Sequence, residues 1–260
     1  MLLKLYVSIL STNLLQTQKL IMPIILKKIL ITISRIIYWC TPREFREERS
    51  KKKLQNIIEK KLAEDTFEKF KEHFKNSVLF YNNTKEIRKY AIETSLLNDK
   101  NNELYYLEFG VYTGRGANFF SKYVKKLYAF DSFEGLREDW VGNFMPKGHL
   151  NLNQKIPKLN PNVEPVVGWV QDTLDDFLKK HNPRINFVNF DMDTYESTKF
   201  ALEKIKPYLV KNAIIIFDEL YNFVGWENGE YKALNEVFNE NEFKYKSFRI
   251  DAEQVVIQIN

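Results

Sequence analysis

Carboxylates recur where apolar runs stop: Glu108 in LEFG, Asp131 in YAFDS, Asp191 and Asp193 in NFDMDT, and Asp218-Glu219 in IIIFDEL. A carboxylate can accept hydrogen bonds from two ribose hydroxyls, take a proton from a nucleophile, or give hard oxygens to a divalent cation. Asp131 lies 21 residues after Gly110, and Gly110, Gly114 and Gly116 break the chain just after the run Leu104–Phe109. Strand, glycine turn, helix, strand, acid is the order of a nucleoside-binding βαβ unit. Glycines let the backbone approach a ligand and turn sharply, which makes Gly110 and Gly114 candidate binding positions. The spacing is G-x-x-x-G-x-G rather than G-x-G-x-x-G, and Glu108 precedes the first glycine. A negative charge there would repel a pyrophosphate seated on the helix N-terminus. The turn therefore favours a cationic or phosphate-free nucleoside. S-adenosylmethionine (SAM), with ribose, adenine, an ammonium and a sulfonium, fits. The competing reading of the glycines alone is an ordinary tight turn in an unrelated α/β protein, and Asp131 weighs against it.

The elements that must position these residues alternate. Strands are expected at Leu104–Phe109, Leu127–Phe130, Val163–Val170, Ile185–Phe190 and Ala213–Phe217, and two more at Phe243–Ile250 and Gln254–Ile259. Helices are expected after the glycine turn, over Gln171–Lys180, Thr194–Leu209 and Gly229–Phe238. Asp172 or Thr173 is a suitable N-cap for the second of these, and Asp193 for the third. Alternation predicts an α/β fold: a seven-stranded, mostly parallel sheet with an antiparallel last strand and helices on both faces. Ligands in such sheets sit at the carboxyl ends of the strands, where the acids are. The long polar, aromatic loop from Ser132 to Asn162 is of the kind that covers a substrate.

Charge divides the 260 residues unevenly. Residues 1–80 hold sixteen basic and eight acidic side chains, +8, whereas the remainder is −3. We expect an N-terminal basic helical extension over 1–81, serving as a cap or dimer arm, and a catalytic domain over 82–260. Residues 41–75 read as helices broken near Ala63–Thr66, and residues 76–103 as a helical lead-in to the first strand. The apolar N-terminal segment is interrupted by Pro23, Lys27, Lys28 and Arg35 and does not offer a transmembrane span. Contact with a membrane surface is open to it, as is packing on its own core or on a partner subunit, which the reading favours together with a homo-oligomer. A single cysteine, Cys40, excludes an intramolecular disulfide and fits a reducing cytoplasm. His73, His149 and His181 are too scattered for a histidine zinc site. The catalytic half is net acidic, and no Asp/Asn-Pro-Pro-aromatic tetrad follows the fourth strand, so nucleic acid is excluded as a substrate.

LEFGVYTGRG, FDSFEGL, GWVQDTL, NFDMDTYEST, IIIFDEL and GE-KAL-E-F, in this order, resemble the macrocin O-methyltransferase (TylF-like) family over about residues 82–240. These are class I, Rossmann-like, SAM-dependent and metal-assisted enzymes that methylate sugar hydroxyls. The resemblance implies that Glu108, Gly110 and Tyr112 line the methionine end of SAM. It places Asp131 and Ser132 at the ribose, Gln171 and Asp172 near the adenine, and Asp191, Asp218 and Glu219 at a divalent metal. Glu219 departs from the family's more usual Asp, and Leu220 from its usual aromatic. Mg²⁺ held by such carboxylates could take two vicinal hydroxyls and favour loss of a proton from one. Asp191 is the first candidate base and Asp193 the second. Trp140, Tyr195, Tyr221 and Trp226 are candidates for stacking on a sugar face. The expected substrate is a sugar or sugar nucleotide. A metal-dependent O-methyltransferase of a catechol-like or other small diol is the alternative within enzymes. A nucleotide-binding oxidoreductase and a membrane-associated scaffold are the alternatives from other classes.

Overall fold

The computed structural model describes residues 26–37, 39–40 and 43–260. The expectation that falls on Pro23 lies outside the described residues. Two compact units divide the chain, Met1–Lys61 and Leu62–Asn260.

In the first unit, residues 26–37 form a helix, α1, and a second helix, α2 (Arg43–Phe74), begins. α2 is one uninterrupted helix of 32 residues, not the broken pair that its weak apolar stripe suggested. Glu64, Asp65 and Thr66 interrupt the stripe without a Gly or Pro to break the backbone, so hydrogen bonding carries the helix through.

The second unit starts inside α2, and the last turns of that helix belong to its core. Phe70 is 1% exposed and meets Tyr221 edge-on at 5.3 Å, with Trp226 and Phe248 within 5.6 Å. The second compact unit begins at Leu62, within α2.

An eight-stranded sheet runs through this unit. In chain order its strands are β1 (Val78–Phe80), β2 (Tyr105–Phe109), β3 (Leu127–Asp131), β4 (Val163–Val167), β5 (Ile185–Phe190), β6 (Leu209–Phe217), β7 (Phe243–Arg249) and β8 (Val255–Ile259). Their order across the sheet is β1-β7-β8-β6-β5-β2-β3-β4. Every pairing is parallel except those of β8 with β6 and with β7. The expected count of seven misses β1. Its three residues pair in parallel with Ser247–Arg249, more than 160 positions away, and nothing local marks them as a strand. All six residues of β5 are buried, as a central strand covered on both faces requires.

The helices α3 (Thr84–Leu96), α4 (Arg115–Phe120), α5 (Val170–His181), α6 (Tyr195–Ile205) and α7 (Glu230–Val237) cover the sheet. Ile87, Ala91, Ile92, Ala117 and Phe120 fill one face with Phe187 and Ile216. Leu174, Phe177, Ala201, Leu202 and Ala233 fill the other with Val188 and Phe217. Both α5 and α6 start without a side-chain cap, from Trp169 and Thr194. Neither Asp172 nor Asp193 therefore has the capping role that their positions suggested. α6 ends in a 3₁₀ turn at Lys206–Tyr208, and β6 starts four residues earlier than expected. Pro207 has no amide hydrogen to continue the helix.

Candidate active site

β2, β3, β5 and β6 end side by side, and β2, β5 and β6 each continue the sheet by one bond past their last residue. Gly110 N donates to Phe130 O at 2.9 Å, Asp191 N to Phe109 O at 2.8 Å, and Asp218 N to Phe190 O at 2.9 Å. The ladder thus carries Asp191 and Asp218 to one edge. Gly110 has a left-handed backbone (φ +87°), and a Cβ there would lie 1.7 Å from the Asp191 carbonyl oxygen. Only glycine permits this approach of β2 to β5. A cavity of about 510 Å³ opens at this edge, within the ~300–1,000 Å³ range of small-molecule sites.

Gly110, Tyr112, Asp131, Ser132, Asp191, Asp193 and Asp218 all line the cavity. Asp131 Oδ2 accepts from the amides of Val111 and Tyr112, both at 2.8 Å, and Oδ1 accepts from Phe133 N at 2.7 Å. One carboxylate thereby ties the glycine turn to the loop after β3. Three of its roughly four acceptor positions are used by the protein, leaving room for a hydroxyl. Ser132 Oγ accepts from Glu134 N at 3.1 Å and steadies the same loop.

Other expected residues lie behind the wall. Glu108 is fully buried and lies under α4, where a Cβ on Gly116 would stand 2.1 Å from its Oε1. Its Oε1 accepts from Asn189 Nδ2 at 3.0 Å and its Oε2 has no protein partner. Burial pushes its pKa up to about 8, against the pull of Arg88 and Asn189. Gly114 starts α4 and packs towards Leu159. Gln171 accepts from Arg137 Nη1 at 2.6 Å, and Asp172 is exposed in the first turn of α5. None of these four lines the cavity. The chain reaches it instead through Gly168, Trp169 and Val170, with the Arg137 guanidinium 5.6 Å from the Trp169 ring.

The stacking candidates also move. Tyr221 and Trp226 are core, 1% and 3% exposed, packed with Phe70. Tyr195 donates to Glu236 Oε2 at 2.5 Å, and Trp140 faces Phe223 at 6.2 Å. An aromatic residue beside a strand end is not distinguishable by type from one in the core beneath it, so Trp169 was not singled out.

At the β5–β6 end, acids crowd together. Carboxylate oxygens of Asp191, Asp193 and Glu219 lie within 4.8 Å of one another. Asp193 joins the group through a left-handed backbone (φ +63°) just after β5. Glu230, the first residue of α7, is fully buried and accepts from Glu219 N at 3.1 Å. Glu219 Oε2 and Glu230 Oε1 are buried with no protein partner. Burial, reinforced by the neighbouring acids, raises the pKa of Asp191, Glu219 and Glu230 well above the usual carboxylate range, and brings Asp193 up to about 7.

One cation faces them. Arg88, from α3, donates to Asp218 Oδ1 at 2.8 Å and reaches Asp191 Oδ2 at 3.4 Å. Burial works against its charge, but Asp218 and Asp191 outweigh that and raise its pKa. Asp218, expected beside a metal, is therefore ion-paired by the protein, and Asp193 stands in the three-carboxylate group with Asp191 and Glu219. Sequence reasoning missed Arg88 and Glu230. Arg88 lies 103 residues from Asp191, in a helix read only for its apolar side; Glu230 was noted only within the GE-KAL-E-F pattern.

Residues 107–220, less than half of the chain, match a family model described as a methyltransferase domain. The chain is an enzyme of the methyltransferase type. No curated protein matches it. Among solved structures, the calicheamicin methyltransferase CalS11 is 23% identical with a TM-score of 0.56, over 67% of this chain and 77% of that one. A second CalS11 structure, described as a TDP-rhamnose 3'-O-methyltransferase, aligns at 23% identity and a TM-score of 0.49 over the same shares. The O-methyltransferase NovP aligns at 19% identity and 0.48, over 68% and 79%. The first likeness shows the fold, a Rossmann-like methyltransferase sheet with an antiparallel last strand. Among the described residues no helix is long and apolar enough to cross a membrane.

Proposed function

We propose that this methyltransferase acts on oxygen, moving the SAM methyl group to a sugar hydroxyl with the help of a divalent cation. The observation that carries this is the convergence of Glu219 with Asp191 and Asp193, two residues that line the same cavity as Gly110 and Asp131. A SAM nucleoside fits beside Gly110 and Asp131. Asp131 keeps an acceptor position for a ribose hydroxyl, and the turn brings backbone rather than side chain to the ligand. The choice of a sugar rests on the motif resemblance, FDSFEGL and NFDMDTYEST above all.

The acid group fits a hard cation. Its donors are all carboxylate oxygens, with no histidine or thiol, and two buried oxygens lack any protein partner. Asp191, Asp193 and Glu219 would hold Mg²⁺, while Asp218 is held by Arg88. The cation would supply positive charge beside the hydroxyl, favouring loss of its proton. The protein's own part is to align the hydroxyl with the methyl carbon and exclude water. The hydroxyl oxygen forms a bond to that carbon as the carbon–sulfur bond breaks, and the proton passes to a carboxylate. Asp191 and Asp193 are both placed for this.

The test is methyl transfer to a panel of sugar nucleotides and catechols, with chelator and with Mg²⁺ restored. We expect turnover on a sugar acceptor, lost in chelator and recovered with Mg²⁺. Asp191→Asn should cost on the order of a hundredfold in turnover with SAM affinity nearly unchanged. Undiminished activity in excess chelator, together with a fully active Asp191→Asn enzyme, would remove the cation and the base at once.

A further inference from the structure

We infer that α1 docks on an anionic phospholipid surface, lying in the interface. At ~100° per residue, Leu26, Ile29, Leu30, Ile33, Ile36 and Ile37 occupy one arc of roughly 120°. Lys27, Lys28, Thr32, Ser34 and Arg35 lie outside it, with Ile31 the one apolar residue among them. The six apolar side chains of the arc are each between 46% and 60% exposed. The two hydroxyls need no outside partner. Thr32 donates to Lys28 O and Ser34 to Ile31 O, both at 2.9 Å.

Length argues for lying flat. Among the described residues the helix covers 26–37 and 39–40, about 21 Å at 1.5 Å per residue and short of a hydrocarbon core of about 30 Å. Charge selects the occupant. Residues 26–61 carry eleven basic and four acidic side chains. A second copy would bring like charge against like charge, whereas anionic headgroups attract the basic flank while the apolar arc enters the acyl boundary.

The experiment is co-sedimentation of the full-length protein with phosphatidylcholine vesicles, with and without phosphatidylglycerol, at low and high salt. We expect binding at least tenfold tighter to the anionic vesicles and weakened by salt. Lys27→Gln and Lys28→Gln should each weaken it about fivefold, the effect of about one positive charge near such a surface. Ile29→Asp/Ile33→Asp should abolish it while the protein melts and methylates as before, since the altered face is exposed. Equal sedimentation with both vesicle types, or none, overturns the proposal. A concentration-dependent dimer lost in Ile29→Asp/Ile33→Asp, without vesicle binding, overturns it in favour of a second copy on this face.

Discussion

The two ends of the cavity treat negative charge in opposite ways. At the β2–β3 end the Asp131 carboxylate lies among three backbone amides that donate to it. It needs no counter-ion. At the β5–β6 end, Asp191, Asp193, Asp218, Glu219 and Glu230 gather around a single guanidinium, and two of their oxygens are buried without a partner. The first end is finished by the protein itself and suits neutral hydroxyls. The second holds more negative charge than its own residues balance, an arrangement that burial penalises unless a cation or protons complete it. In the proposed methyl transfer the first end would hold the nucleoside and the second would deprotonate the acceptor.

Removing the Arg88 guanidinium, which pairs with Asp218 and Asp191, should have the largest effect. Arg88→Met leaves Asp218 buried without its partner and should destabilise the metal-free protein by about 3–5 kcal/mol. The same change should tighten binding of Mg²⁺ or Mn²⁺, because the cation then faces one more unpaired carboxylate. Chemical denaturation with and without metal, and calorimetric titration of Mn²⁺, measure the two. A variant as stable as the parent would mean that Arg88 does not balance the cluster.

Glu108 lies beneath the first end yet shares the second end's unmet charge. Its pKa is pushed up to about 8 by burial, against an unfolded value of about 4.5. Between these values the unfolded chain releases the proton while the folded chain keeps it. Stability contributed by the neutral acid is complete below about pH 4.5 and is lost as pH rises to about 8, by an order of a few kcal/mol. Glu108→Gln should therefore gain on the parent across that window and show no pH-dependent gain below it. Melting curves at stepped pH decide, and a constant difference at every pH would refute the neutral-acid assignment.

The smallest effect is expected at Asp131. Asp131→Ala leaves three amides without their acceptor, so it should cost about 1–3 kcal/mol of stability as well as roughly tenfold or more in SAM affinity. The two losses separate by experiment: a melting shift without SAM reports the turn, and calorimetry with SAM reports the ligand. Unchanged SAM affinity in a destabilised variant would leave Asp131 a purely structural residue.

The alternation of elements was legible from residue types alone, because βαβ order needs only apolar runs, glycines and acids in a fixed sequence. Asp131, Asp191 and Asp218 were legible for the same reason: each is the first polar residue after a buried strand, and a parallel sheet must deliver such residues to one edge. That the last turns of α2 join the core of the sheet was not, since it follows from Phe70 finding Tyr221, Trp226 and Phe248 far along the chain. Nor was β1, whose three residues become a strand only when β7 is there to pair with them. Sequence by itself determined which strand ends carry acids and that a glycine turn faces them. Tertiary structure alone decided which of those acids meet, that Glu108 is sealed under Gly116, and that Arg88 rather than another group pairs with Asp218. Charge state in a buried cluster depends on distance and on exclusion of water, and neither is a property of residues taken one at a time.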